Sequence, residues 1–81
     1  MQKEYAESDI ETLKEILCRL LGRESIVEDE DIYEAGLTSI MVLPLLVEIE
    51  DTFQLTIPDA DFLNARTPST LAQMIRQLRD N

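Results

Sequence analysis

The strongest constraint on this chain is a helical rhythm of apolar side chains. Ser8-Asp9-Ile10-Glu11 has the form of a capping box, and Ile10, Leu13, Ile16 or Leu17, Leu20 and Leu21 follow at the spacing that puts residues on one helix face. Gly22 then offers a left-handed stop. A first helix is expected over residues 9–21.

Thr38 is placed to cap a second helix over residues 39–53, with Ile40, Leu43, Leu46 or Val47, Ile49 or Glu50, and Phe53 spaced as its inward face. Glu48, Glu50 and Asp51 then fall toward its outer side and C-terminal half. Residues 59–63 read as a short helical turn. Thr67-Pro68 opens a last helix over residues 68–79, threonine as cap and proline at the first position, with Leu71, Met74, Ile75 and Leu78 as the buried stripe.

Between the first two helices lies RESIVEDEDIYEAGL, in which Ile26, Val27, Ile32, Tyr33 and Leu37 punctuate an acidic stretch. It reads as a long loop pinned to the core by those side chains. Loops of this length inside a compact domain are uncommon and often functional. The sum is an all-α bundle of four helices. With 81 residues there is material for one modest core, and two glycines and three prolines are too few for a many-turned sandwich or barrel.

Pro44 interrupts the second helix at about its sixth position. There it removes one backbone hydrogen bond, at a cost of about 3 kcal/mol. A helix kinked at Pro44 is expected, because Leu43 is a poor cap and a lone strand would lack a partner. The alternative is an extended SIMVL followed by a helix that starts near Pro44.

Charge narrows the possible partners. Seventeen acidic residues against seven basic give a net charge of −10, which repels phosphate backbones and anionic lipid headgroups. Nucleic acid and membrane insertion are therefore not expected; a basic partner protein is. The longest apolar stretch, from Ile40 to Val47, falls far short of the roughly 20 residues that span a bilayer. The single cysteine, Cys18, has no internal disulfide partner, and Met1 to Asp9 is polar, unlike a signal sequence. Cytoplasmic location and a monomer are the expectations, with Cys18 a small core residue and a redox role its sharper alternative.

Catalytic chemistry finds little to use. The chain has no histidine, and Ser39 sits in Gly-Leu-Thr-Ser-Ile, not in the Gly-x-Ser-x-Gly of a nucleophile elbow. Counting an EF-hand loop from Asp29 puts Glu34 where the glycine belongs and Ile40 where the bidentate glutamate belongs, so the acidic run reads as a solvated surface. Gly22 and Gly36 are isolated, so no glycine-rich phosphate loop is formed. A small enzyme is thereby disfavoured.

Ser39 itself remains. At a helix N-terminus, unpaired N–H groups and a partial positive charge favour a phosphoryl group joined at the hydroxyl. Gly36 lets the chain turn and keeps bulk away, so another enzyme could approach. The bland reading is that Thr38 and Ser39 merely start a helix.

The chain resembles the acyl carrier protein family of phosphopantetheine-dependent carriers. The resemblance rests on DIYEAGLTSI, where the family usually has an acidic, apolar segment ending in Gly-x-Asp-Ser-Leu, and on LLVEIEDTF, IPDADF and TPSTLAQMI at the family's usual separations. It extends from the first helix to the fourth. It implies an acyl-carrier-like four-helix bundle whose Ser39 receives 4′-phosphopantetheine from coenzyme A, by the action of a phosphopantetheinyl transferase. The arm then carries a thioester between a loading ligase and a downstream acyltransferase or synthase, and the protein is a non-catalytic tether.

The recognition surface implied for these partners is Gly36, Leu37, Thr38, Ile40, Met41, Pro44, Glu48, Asp51 and Asp59. Asp61 and Glu50 add charge that could meet basic partners. Thr38 stands where the family usually has aspartate, which preserves capping but removes a charge that transferases commonly read. Met41 and Pro44 lie where many members carry acidic residues, which points to a partner docking partly by apolar contact. The expectation is a discrete acyl carrier in fatty-acid, polyketide or related biosynthesis. LLVEIEDTF makes an aminoacyl or D-alanyl carrier plausible, and the missing Asp-Ser-Leu argues against the housekeeping fatty-acid protein. The alternative is an unmodified helical scaffold that binds through Met41, Val42, Pro44 and Leu45.

Overall fold

A computed structural model of the chain describes residues 7–80. Most of the polar opening, residues 1–6, lies outside the described residues. Four helices follow in order, α1 (Glu7–Leu21), α2 (Ser39–Phe53), α3 (Asp59–Asn64) and α4 (Pro68–Asp80), with no strand among the described residues. The α1 helix packs on α4 and α2, and α3 touches α4. Ile10, Leu13 and Leu17 of α1, Leu45 and Ile49 of α2, Phe62 of α3 and Leu71 and Ile75 of α4 meet in one fully buried core.

The helix ends show which local signals were used. The α1 helix begins at Glu7, so Ser8 lies inside it and is not the expected cap; its carbonyl accepts the Thr12 hydroxyl at 2.8 Å. Asp9 is buried and paired with Arg79 of α4 at 3.1 Å, which holds this segment on the bundle as helix. At the other end Gly22 adopts φ +70°, and the Arg23 N–H reaches the Cys18 carbonyl at 2.9 Å, the six-to-one bond of a Schellman stop.

The α4 start is a reciprocal box. The Thr70 N–H donates to Thr67 Oγ1 at 3.1 Å, and the Thr67 N–H donates to Thr70 Oγ1 at 2.9 Å. Pro68 occupies the first position without losing a bond, since that N–H has no intrahelical acceptor.

The loop between α1 and α2 is pinned by Ile26, Ile32 and Leu37, with Tyr33 half-buried. Val27 is not a pin, being 60% exposed. Its carbonyl and N–H close a local turn with the Glu30 N–H and carboxylate, which points the side chain outward. Cys18 is half-buried against the core at the edge of a groove lined also by Glu15 and Ile26. Among the described residues no helix is long and apolar enough to cross a membrane.

Candidate functional site

Ser39 is the first residue of α2 and is exposed. Thr38 holds the N-cap position with an extended backbone (φ −108°, ψ 166°), but its hydroxyl makes no capping bond. The expected side-chain cap is thus corrected to a backbone one, the Met41 N–H donating to the Thr38 carbonyl at 2.9 Å. No acidic residue sits in the first turn of α2. Neither the cap side chain nor a carboxylate offsets the partial positive end beside the Ser39 hydroxyl.

The backbone reaches this point through a tight turn. Asp31 caps it, its Oδ1 accepting the Tyr33 N–H at 2.8 Å and the Glu34 N–H at 3.2 Å. The Ala35, Gly36 and Leu37 N–H groups then bond to the carbonyls of Asp31, Tyr33 and Ile32. Gly36 takes φ +124°, a region that L side chains rarely adopt. Within the chain it is that dihedral and not space that calls for glycine, because an added Cβ would meet only Leu21 Cδ2 at an ordinary 3.9 Å. Leu37 is buried and anchors the chain two residues before Ser39.

The α2 helix runs unbroken from Ser39 through Pro44, so the extended alternative is excluded. Its inward face is Val42, Leu45, Leu46, Ile49 and Phe53: Leu46, Ile49 and Phe53 lie as expected, whereas Val42 and Leu45 take the places expected for Ile40 and Leu43. Ile40, expected both inward and among the recognition residues, is 84% exposed; Leu43 and Val47 are also exposed. Met41 is half-buried against the core instead of lying on the outer face, whereas Pro44 is exposed. Ile40, Leu43 and Val47 thus form an outward stripe, and exposed Leu63 of α3 adds a further apolar side chain beyond Leu43. Between the helices Val42, Leu43, Leu46, Asp59, Phe62 and Leu63 line a groove of about 180 Å³.

The acidic residues divide by what they touch. Glu48 forms an ion pair with Arg19 of α1, and the Glu50 carboxylate accepts the Ile57 N–H at 2.8 Å, so both serve the fold. Asp51 and Asp59 are exposed on α2 and at the start of α3. The structure therefore brings Thr38, Ser39 and Ile40 together at one end of α2, and sets Glu48 against α1. Leu43, Val47 and Leu63 were not anticipated as surface residues.

The family model described as a phosphopantetheine attachment site matches residues 11–75. The chain belongs to that family. Members carry 4′-phosphopantetheine covalently. A similar protein is the non-reducing polyketide synthase Preu3 of Preussia isomera, 35% identical over 52 residues, which is 64% of this chain. The chain spans 2% of that relative's length.

The residues of this carrier domain fit such a group. An exposed hydroxyl at a helix start without a side-chain cap meets a phosphodiester with N–H donors and a favourable dipole. When bound, the arm supplies a thiol for thioester chemistry. What the domain itself offers is the exposed Ser39 hydroxyl at the start of α2.

Proposed function

We propose that the chain is a non-catalytic acyl carrier that holds its cargo as a thioester on a phosphopantetheine arm joined to Ser39. The observation that carries this reading is the exposed Ser39 hydroxyl at the start of α2, inside the segment matched by the family model. In the loading step the Ser39 oxygen bonds to the phosphorus of coenzyme A that bears the pantetheine. The bond from that phosphorus to the adenosine bisphosphate leaving group breaks, and the hydroxyl proton passes to a base of the transferase.

The partners in this reading are a phosphopantetheinyl transferase, a loading ligase and a downstream acyltransferase or synthase. The outward stripe of Ile40, Leu43 and Val47, with Asp51 and Asp59 exposed on the same two helices as the groove, supports docking by apolar surface with basic residues at its edge. Similarity to a segment of a polyketide synthase favours acyl-chain assembly of the polyketide type over an aminoacyl cargo. We take the carrier to act as a discrete protein, which the size of the native gene product in an extract tests.

The decisive experiment is incubation with coenzyme A, magnesium and a broad-specificity transferase, read by intact mass with Ser39→Ala alongside. One phosphopantetheine adduct on the wild type alone is expected. An adduct that persists on Ser39→Ala overturns Ser39 as the attachment site, and none with several transferases overturns the carrier reading and leaves an unmodified scaffold.

A further inference from the structure

The first turn of α2 lacks one of the backbone bonds that tie a turn to the rest of its helix. Pro44 has no N–H to give the Ile40 carbonyl, and the fully buried anchors of α2, Leu45 and Ile49, lie beyond it. Met41 and Val42 pack half-buried on the core from within this segment, and the chain that precedes Ser39 supplies further ties.

That chain is clasped to the connection between α3 and α4. The Arg66 guanidinium donates from Nε to Asp31 Oδ2 at 2.9 Å and from a terminal nitrogen to Oδ1 at 3.4 Å, and lies 4.4 Å from the centre of the Tyr33 ring. The Arg66 carbonyl accepts the Ile32 N–H at 2.8 Å, and the Glu28 carbonyl accepts the Ser69 N–H at 2.8 Å. Asp31 Oδ1 simultaneously caps the turn that ends at buried Leu37. One carboxylate–guanidinium pair and two backbone hydrogen bonds thus link the path into Ser39 to a remote part of the bundle. The Arg66 hydrogen bond also holds the Asp31 carboxyl below its ordinary range.

We propose that Asp31 and Arg66 are positioning residues for modification at Ser39, holding residues 31–37 in the arrangement that the transferase docks against. This rests on Ser39 being the attachment site. Without the Asp31–Arg66 pair the turn is held less firmly, and the entropy of fixing it during docking falls on the encounter and not on the chemistry.

Steady-state loading with coenzyme A and one transferase, varying the carrier, tests this. Asp31→Asn and Arg66→Gln should each raise the KM for the carrier about fivefold, with kcat within about twofold of wild type. The double variant should be no worse than the poorer single, because both break one clasp. Arg79→Gln, which severs the Asp9 pair between α1 and α4, should lower the melting temperature yet keep the wild-type KM. Circular dichroism at the assay temperature verifies that each variant is folded. Wild-type KM values in folded Asp31→Asn and Arg66→Gln, or an equal rise in Arg79→Gln, overturn the proposal while leaving Ser39 as the site. Failure of the wild type to load removes the attachment reading and the clasp's role with it.

Discussion

Arg79 Nη1 lies 3.1 Å from Asp9 Oδ2, joining the last turn of α4 to the first turn of α1. Asp9 is the one buried charged residue among those described. Removing its partner leaves a carboxylate with little water and no cation. Arg79→Ala should cost about 1–2 kcal/mol, the lower figures reflecting the half-exposed arginine. Thermal unfolding measures this. A double change, Asp9→Leu with Arg79→Met, should recover most of the loss, since a buried pair replaced by apolar side chains is often neutral.

Gly36 at φ +124° and Gly22 at φ +70° make different demands. The Gly22 dihedral is near the left-handed helical region, so Gly22→Ala should cost about 1 kcal/mol. Gly36 lies in a region open to glycine alone, and Gly36→Ala should cost about 1–3 kcal/mol. Urea unfolding of the two variants gives the order. A smaller loss in Gly36→Ala than in Gly22→Ala would contradict the assignment of Gly36 to backbone conformation.

The two apolar faces of α2 should respond in opposite ways. Leu45 is fully buried, and Leu45→Ala should destabilise by about 2–5 kcal/mol. Leu43 and Val47 are 65% and 54% exposed, so Leu43→Ser and Val47→Ser should change stability by less than about 0.5 kcal/mol. Their effect should appear as weaker transfer of cargo by partner enzymes, measured with purified loaded carrier.

Two carboxylates make the bundle acid-sensitive. The Arg23 hydrogen bond, aided by the Val27 N–H, lowers Glu30 from its ordinary 4.5, and the Arg66 hydrogen bond lowers Asp31 from 3.8. In this range the unfolded chain binds protons that the folded one refuses. Stability is therefore complete above those ordinary values and declines as pH falls through the lower folded ones. Ellipticity followed during acid titration should show a shallower acid limb in Glu30→Gln with Asp31→Asn than in the wild type.

The phase of α2 shows where sequence reasoning stopped short. Ser39-Ile40-Met41-Val42-Leu43 and Leu45-Leu46-Val47 are apolar nearly all round, so helical spacing alone allows two faces. The series Ile40, Leu43, Val47 runs on into Glu50 and Gln54. The series Val42, Leu45, Ile49 runs on to Phe53. Only the second stays apolar to the helix end, and it is the one buried. Following both to Phe53 was the signal that could have separated them.

Helix existence, the Gly22 stop and the Thr67-Pro68 start were legible because each is a local matter of spacing and backbone preference. So was Ser39 at a helix start. The outcome at Ser8 was not, since a potential cap competes with a distant ion pair between Asp9 and Arg79 that no local pattern contains. The same holds for Arg66, a residue between α3 and α4 whose importance lies in reaching Asp31 and Tyr33. Glu48 and Glu50 looked like surface charge until folding brought Arg19 and the Ile57 N–H to them. Short-range hydrogen bonding and apolar period thus set the elements from sequence alone. Tertiary packing decided which charges were paired and which stayed exposed, because ion pairing depends on neighbours far along the chain.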